Sequence, residues 1–303
     1  MSALGNREPA VVAPASGGPV PLILRRRHPL RWLASLIVLC LVALLIVSMV
    51  TNERYRWHVV SQFLFDSRVL SGLMLTLWLT GICMVLGTVL GTVLALGRLS
   101  ANPLVSTVVG AYIWFFRGTP VLVQLVIWYN LAALYPKITV SIPFGGPELF
   151  SLNSNQLITP ALAAIVGLSL DLAAYMAETI RNGILGVESG QTEAALSIGM
   201  TRTQTMRRIV LPQAIRLIVP PAWNQLIALL KYTSLVSVLA VSDLLYSAEL
   251  ISQLNYEVIP LLLVATIWYL VLTSILTLVQ RYLERYFNRG VHPRRSRRKA
   301  GLA

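Results

Sequence analysis

Gln191 to Pro212 reads QTEAALSIGMTRTQTMRRIVLP, a polar, basic stretch set between strongly apolar runs. Glu193-Ala194-Ala195 is followed by Gly199, four positions after the second alanine, then by Ile209 and by Leu211-Pro212. Ser189, Gly190, Thr192 and Glu193 suit a helix start, with a capping oxygen and a carboxylate near the positive end of the helix dipole. Ala194 and Ala195 leave one face of that helix thin, and Gly199 is placed to stop it as a C-terminal glycine does. Thr201 with Gln204 matches a capping box and predicts a second short helix. Met206, Ile209 and Val210 share one side of it, and Pro212 ends it. Two short helices with a small-residue surface between them make a peg that a groove on another protein can hold. An ordinary amphipathic loop needs only solvation, which does not require alanines and a glycine at fixed offsets.

The surroundings of this stretch are those of a membrane protein. Of the 303 residues, 56% are hydrophobic and only 12% charged, with a mean hydropathy of +0.70, which marks a polytopic membrane chain rather than a soluble domain. The net charge of +13 is gathered at Arg25-Arg26-Arg27, at Arg31, in the loop from Arg202 to Arg216 and in the tail from Arg281 to Lys299. Each cluster abuts an apolar run, the pattern of positive-inside topology. Nucleic-acid binding needs such clusters on one folded surface, and is rejected.

Chemistry-bearing residues are sparse. Cys40 and Cys83 lie inside apolar runs and read as small apolar fillers. His28, His58 and His292 are isolated and beside apolar runs, so no metal site is expected. No Ser/His/Asp set has plausible spacing, and no G-x-x-x-x-G-K-[ST] occurs. No enzyme activity and no cofactor are expected of this chain, and any ATP hydrolysis belongs to a separate subunit.

Hydropathy predicts an all-α polytopic protein of about six transmembrane helices. Residues 1–32 read as a disordered basic tail. Residues 33–50 are an uninterrupted apolar stretch long enough to span; the run starts late and lacks a small-residue cleavage site, so it is a retained helix rather than a signal peptide. Further spans are expected near Val69 to Gly97, Gly118 to Tyr135, Leu157 to Asn182, Pro221 to Leu244 and Ile259 to Gln280. Six spans put both termini on one side, with roughly four in five of the basic residues in the cytoplasm; five would put the N-terminal cluster on the wrong side. Pro103 to Tyr135 is roughly 50 Å long as one helix, against a hydrocarbon core of about 30 Å. Arg117-Gly118-Thr119-Pro120 is expected to break it, leaving 103–116 as an interfacial helix and letting Arg117 snorkel to the inner interface. Residues 282–303 form a basic tail.

The 191–212 stretch resembles the EAA loop of the membrane subunits of ABC importers, with Glu193, Ala194, Ala195, Gly199, Ile209, Leu211 and Pro212 filling its slots. The region from about 67 to 281 is similar to the permease subunits of the polar amino-acid uptake family (the histidine, glutamine, glutamate, arginine and opine group). The matching blocks are Arg117 to Gln124, Ala174 to Glu178, Arg181 to Ile184 and Leu230 to Leu235. The resemblance implies a type I importer permease fold, a five-helix core here carrying an extra N-terminal helix, with the coupling loop at 189–212. It also implies a separate ATPase subunit docked on that loop, an extracytoplasmic solute-binding protein, and a second permease, either a copy or a relative, in the bacterial cytoplasmic (inner) membrane. The function implied is import of a polar amino acid; alternatives are another small polar solute, or an ATP-independent secondary transporter, for which no internal repeat is seen.

Two residues depart from the family pattern. Tyr232 stands where the family often has Asp after the lysine, and Asp171 where it more often has an uncharged polar residue. Counted from the inner ends of their helices, Asp171 and Lys231 come to nearly the same depth. An intramembrane charge is functional or paired by default, so three readings of Asp171 stand: it pairs with Lys231, it faces the pathway and meets a substrate amino group, or it is protonated. The first leads. Glu178 and Arg181, one turn apart, read as a local pair. Asp171, Lys231, Thr233, Ser234, Glu178 and Arg117 are the candidate intramembrane polar or pathway residues.

Overall fold

The computed structural model describes residues 29–141, 148–153 and 157–287. The expectations for residues 1–28 and 288–303, among them His28, His292 and most of both tails, lie outside them, whereas the tail expected from residue 282 is helical as far as Phe287. The chain forms two units, one ending at Glu53 and one from Arg54 onward. The first holds helix α1 (Pro29–Thr51), which begins four residues before the expected boundary, with proline in its first turn, where no N–H is needed.

The second unit is built on helices that pack through small residues. Its elements are α2 (Trp57–Phe63), α3 (Ser67–Arg98), α4 (Pro103–Gly118), α5 (Val121–Tyr129), α6 (Leu131–Leu134), α7 (Pro160–Leu185), α8 (Ser189–Ser197), α9 (Arg202–Thr205), α10 (Leu211–Tyr232), α11 (Leu244–Asn255) and α12 (Val258–Phe287). Helices α1, α3, α7 and α12 are each long and apolar enough to cross a membrane. Two bent pairs raise the count to six if each is one span: α4 with α5, bent by 103°, and the 202–239 stretch with α11, bent by 43°. The all-helical class thus stands, with one addition: strands β1 (Lys137–Ser141) and β2 (Glu148–Asn153) form an antiparallel pair with Lys137 opposite Asn153, and the alternation of Ile138 and Val140 with Thr139 and Ser141 carries the period of a strand.

Helix α7 is the axis of this unit. It packs along α3 and touches α4, α5 and α10. The α3 seam runs parallel: Cys83 Sγ meets the Ile165 carbonyl at 3.8 Å, Gly87 faces Leu172 and Gly91 faces Met176. Ala95, Ala173 and Ala177 are fully buried. Gly87 and Gly91 stand four apart, as do Ala173 and Ala177, so two small-residue stripes meet and the backbones approach closely. A Cβ on Gly91 would lie 2.6 Å from Met176 Cβ and 2.9 Å from the Ala173 carbonyl oxygen.

A polar junction joins α3, α11 and α12. Asp243, fully buried, caps α11 by accepting from the Tyr246 and Leu245 amides at 3.0 and 3.3 Å. Tyr269 on α12 donates to it at 3.2 Å, and Thr76 on α3 accepts from the Leu244 amide at 3.0 Å. Every buried polar group named here thereby has a partner, as a low-dielectric interior demands.

The fifth span differs from expectation. Pro221 does not begin it: α10 starts at Leu211 and carries Pro220 and Pro221 inside. The helix then tightens to a 3₁₀ stretch (Thr233–Leu239) and breaks before α11. Prolines are tolerated inside membrane helices when neighbouring groups satisfy the carbonyls they release, so they mark no boundary here. The expected 118–135 span is also subdivided, since α5 ends at Tyr129 and α6 follows.

The seam makes a test. Gly91→Ile overpacks the α3–α7 contact and should cost about 1–3 kcal/mol, seen as a lowered Tm of the detergent-purified protein. Gly81→Ala adds a Cβ that meets no atom within 4 Å and should leave Tm unchanged or slightly raised. Equal Tm values for Gly91→Ile and wild type would contradict the close approach.

Candidate functional site

The 189–212 stretch folds as two short helices joined by a tight turn. α8 ends in a glycine turn: Gly199 has φ +86°, its amide donates to Leu196 O at 3.0 Å, and the Met200 amide donates to Ala195 O at 3.1 Å. These are the paired bonds of a Schellman motif, in which the left-handed residue is most often glycine. Thr201 and Gln204 form the expected capping box, with bonds of 3.3 and 2.9 Å.

Two expectations fail locally. The cap residue of α8 is Glu188, whose side chain makes no capping bond, so Ser189 and Thr192 supply no capping oxygen. Pro212 does not end the second helix either. α9 widens into a π turn at Met206–Val210 and runs on into α10. A π turn is one way a helix takes up a local irregularity, and here it directly precedes a residue that has no N–H and crowds the carbonyl four back.

The faces of this peg are now defined. Ala195, Thr205 and Val210 are buried between the two helices, whereas Met206 is exposed. Glu193, Ala194, Gly199, Leu211 and Pro212 are exposed, and Ile209 is half-buried. Ile198, beside the glycine turn, is 79% exposed and Leu196 42%. The sequence reading passed over both, although an apolar residue next to the helix stop was the available signal. A groove between the end of α7 and these helices is lined by Leu185, Thr192, Leu196, Arg202 and Met206 among others.

The intramembrane polar residues are arranged around Gln124. Pro120 has no amide to offer the Phe116 carbonyl, and the α4–α5 bend frees Thr119. Gln124 Nε2 fills both gaps, donating to Phe116 O at 3.0 Å, Thr119 O at 3.2 Å and Thr119 Oγ1 at 2.9 Å. It also reaches Asp171 Oδ1 at 3.4 Å. Asp171 is buried on α7 and borders a small cavity with Tyr175, Gln225 and Tyr232. The expected pairing with Lys231 is not formed: Lys231 is exposed, and Asp171 turns to Gln124 instead. Equal depth along two helices does not fix which way each side chain turns.

The other candidates have local roles. Arg181 forks onto Glu178 with bonds of 3.1 and 2.9 Å, the local pair expected of them. Arg117 lies over the Tyr175 ring, 5.3 Å from its centroid. Thr233 and Ser234 turn their hydroxyls back to the carbonyls of Leu230 and Lys231, at 2.7 Å each, where α10 tightens and releases acceptors. Among the described residues no group of three or more His, Cys, Asp or Glu could hold a metal ion.

Gln124→Leu leaves two backbone carbonyls and Asp171 without their donor, and should cost about 1–3 kcal/mol. In a double-mutant cycle read by thermal stability, Asp171→Asn should couple to Gln124→Leu and be additive with Lys231→Met. Coupling to Lys231 alone would overturn this assignment.

Comparison with known proteins agrees with this geometry. The family model for the inner membrane component of binding-protein-dependent transport systems matches residues 87–289. The arginine transport system permease protein ArgU of Corynebacterium glutamicum is 46% identical over 265 residues, covering 87% of this chain and 82% of that protein. The glutamate/aspartate import permease protein GltK of Escherichia coli O6:H1 is 36% identical over 217 residues, covering 72% and 92%. The crystal structure of an amino acid ABC transporter with histidines superposes with a TM-score of 0.64 at 33% identity, over 75% of this chain and 97% of that one. The inward-facing MetNI methionine ABC transporter, at 22% identity and a TM-score of 0.51, shares the fold. The family model and relatives of this similarity agree: the chain belongs to the family of binding-protein-dependent transport system inner membrane components.

Proposed function

We propose that this chain is the translocating subunit of an ATP-driven importer of polar amino acids in the bacterial cytoplasmic membrane. The observation that carries this reading is the exposed peg at 189–212, where Ile198, exposed beside the glycine turn, offers an apolar contact to a partner. Its surface of Glu193, Ala194 and Gly199 suits close approach by a separate ATPase subunit. An extracytoplasmic binding protein delivers the substrate, and a second permease, a copy or a relative, completes the pathway. ATP binding and substrate each favour one of two states of the permease pair, which is all that coupling requires. The amino-acid class is supported by the printed functions of the relatives. The small cavity beside Asp171, lined by Tyr175, Gln225 and Tyr232, has room for about one water in this state, so in this reading it opens to admit a substrate's cationic group.

Both termini face the cytoplasm in this reading. Single cysteines placed at Lys137 and at Gln204 should react oppositely with an impermeant thiol reagent in intact cells, the first labelled and the second protected. Labelling of both would reject the six-span topology.

Docking is tested at Gly199. Its φ of +86° strains any β-branched residue, whereas Asn tolerates the left-handed region. Gly199→Val should keep the protein in the membrane while uptake of radiolabelled arginine and co-purification with the ATPase fall at least several-fold, and Gly199→Asn should keep most of both. Full uptake by a well-expressed Gly199→Val protein would sink the proposal.

A further inference from the structure

Arg117 is an exposed cation that enters no ion pair among the described residues. Its position is nevertheless fixed. Earlier on α4, Tyr112 donates to the Leu170 carbonyl of α7 at 2.8 Å, and beside Arg117 the Phe116 carbonyl is held by Gln124 at 3.0 Å. The end of α4 is thereby set against α7, and the Arg117 guanidinium lies over the Tyr175 ring, with Cζ 5.3 Å from its centroid. The negative face of an aromatic ring attracts such a cation.

Tyr175 has a second contact surface. With Asp171, one turn earlier on α7, and with Gln225 and Tyr232 of α10, it lines the cavity of about 10 Å³ described above. Arg117 is not among the lining residues, so the ring stands between the guanidinium and the cavity. α7 runs from Asp171 through Tyr175 toward the 189–212 segment. The tyrosine and the arginine therefore close the cavity on the side of that segment, which is the cytoplasmic side in the proposed topology. An exposed contact between a guanidinium and a ring is weak enough to open repeatedly. Its charge, by contrast, acts on any ion that approaches, without touching it.

We propose that Arg117, laid over Tyr175, is a charge-selective inner gate of the cavity beside Asp171. The ring closes the cavity, and the guanidinium repels cations arriving from the cytoplasm. In an importer of cationic amino acids this keeps substrate already inside the cell from returning to Asp171. That consequence rests on the proposed function; the gate itself is a property of ring and charge and is tested without substrate.

The test replaces Cys40 and Cys83 by alanine and introduces Gln225→Cys as a reporter thiol in the cavity lining. Inside-out membrane vesicles expose the cytoplasmic side to methanethiosulfonate reagents carrying either a trimethylammonium or a sulfonate group. The ratio of the cationic to the anionic modification rate cancels any change in the reactivity of the thiol itself. With Arg117 and Tyr175 intact both reagents should react slowly. Arg117→Gln should raise the ratio several-fold, and Arg117→Lys, which keeps the charge, should not. Tyr175→Ala should speed both reagents, whereas Tyr175→Phe, which keeps the ring, should speed neither. Arg285→Gln removes the same charge from the exposed end of α12 and should leave the ratio unchanged. The proposal is overturned by an unaltered ratio in the Arg117→Gln protein, by an equal shift in the Arg285→Gln protein, or by wild-type rates in the Tyr175→Ala protein. Arginine uptake is measured separately: its absence alongside the expected change of ratio rejects the importer reading and upholds the gate.

Discussion

A Cβ on Gly91 would have no room, with Met176 Cβ at 2.6 Å and the Ala173 carbonyl oxygen at 2.9 Å. This contact, and its neighbour at Gly87, bring α3 and α7 together along parallel axes. In lipid there is no hydrophobic drive for two apolar helices to associate, so close van der Waals packing between small residues has to supply the adhesion. α7 then offers its remaining faces to α4, α5 and α10. Gly167 admits Leu125 of α5, and Gly183 admits Ile218 of α10. Asp171 and the start of the 189–212 segment are therefore carried by one helix whose position is set by glycines.

Breaks in the other helices are placed where polar side chains can repair them. Gln124 satisfies the carbonyls freed at Thr119-Pro120 and holds Asp171 in the same network. Asp243 caps α11 after the 3₁₀ stretch, tied to Tyr269 and close to Thr76. Irregular backbone at membrane depth is tolerated only where such partners exist. The π turn before Pro212 serves the same end, letting the coupling segment pass without a stop into α10. The peg is thus continuous with a membrane helix, which Gly183 seats against α7.

Much of this was legible in the residues. Helix length and apolar runs located α1, α3, α7 and α12. Gly199, Thr201 and Gln204 specified the turn and cap of the coupling segment, because their roles are set by backbone conformation within a few residues. The Arg117-Gly118-Thr119-Pro120 break was legible for the same reason. What was not legible depends on orientation between helices. Asp171 and Lys231 matched in depth, but depth carries no azimuth, and Asp171 turns to Gln124 instead. Pro212 and Pro221 looked like boundaries because local rules treat proline as a breaker, and a π turn and tertiary context override them. The Gly87 and Gly91 spacing was present in the sequence as a small-residue signal and passed unread.

The α3–α7 seam, and the run of 189–212 into α10, which Gly183 seats on α7, lead to one expectation: α3, α7 and this segment move as one body. Spin labels at Gly81 on α3 and Gly190 on α8 report on it directly, since a Cβ added at either position meets no atom within 4 Å. Pulsed electron-electron double resonance on the reconstituted complex, nucleotide-free and trapped with a non-hydrolysable ATP analogue, reads the distance between them. With the doubly labelled chain diluted into unlabelled copies, so that only distances within one chain are read, the account predicts one narrow distribution, the same in both states. A second population, or a shift larger than the width of the distribution, would show that the coupling segment moves independently of the α3–α7 seam and would contradict it.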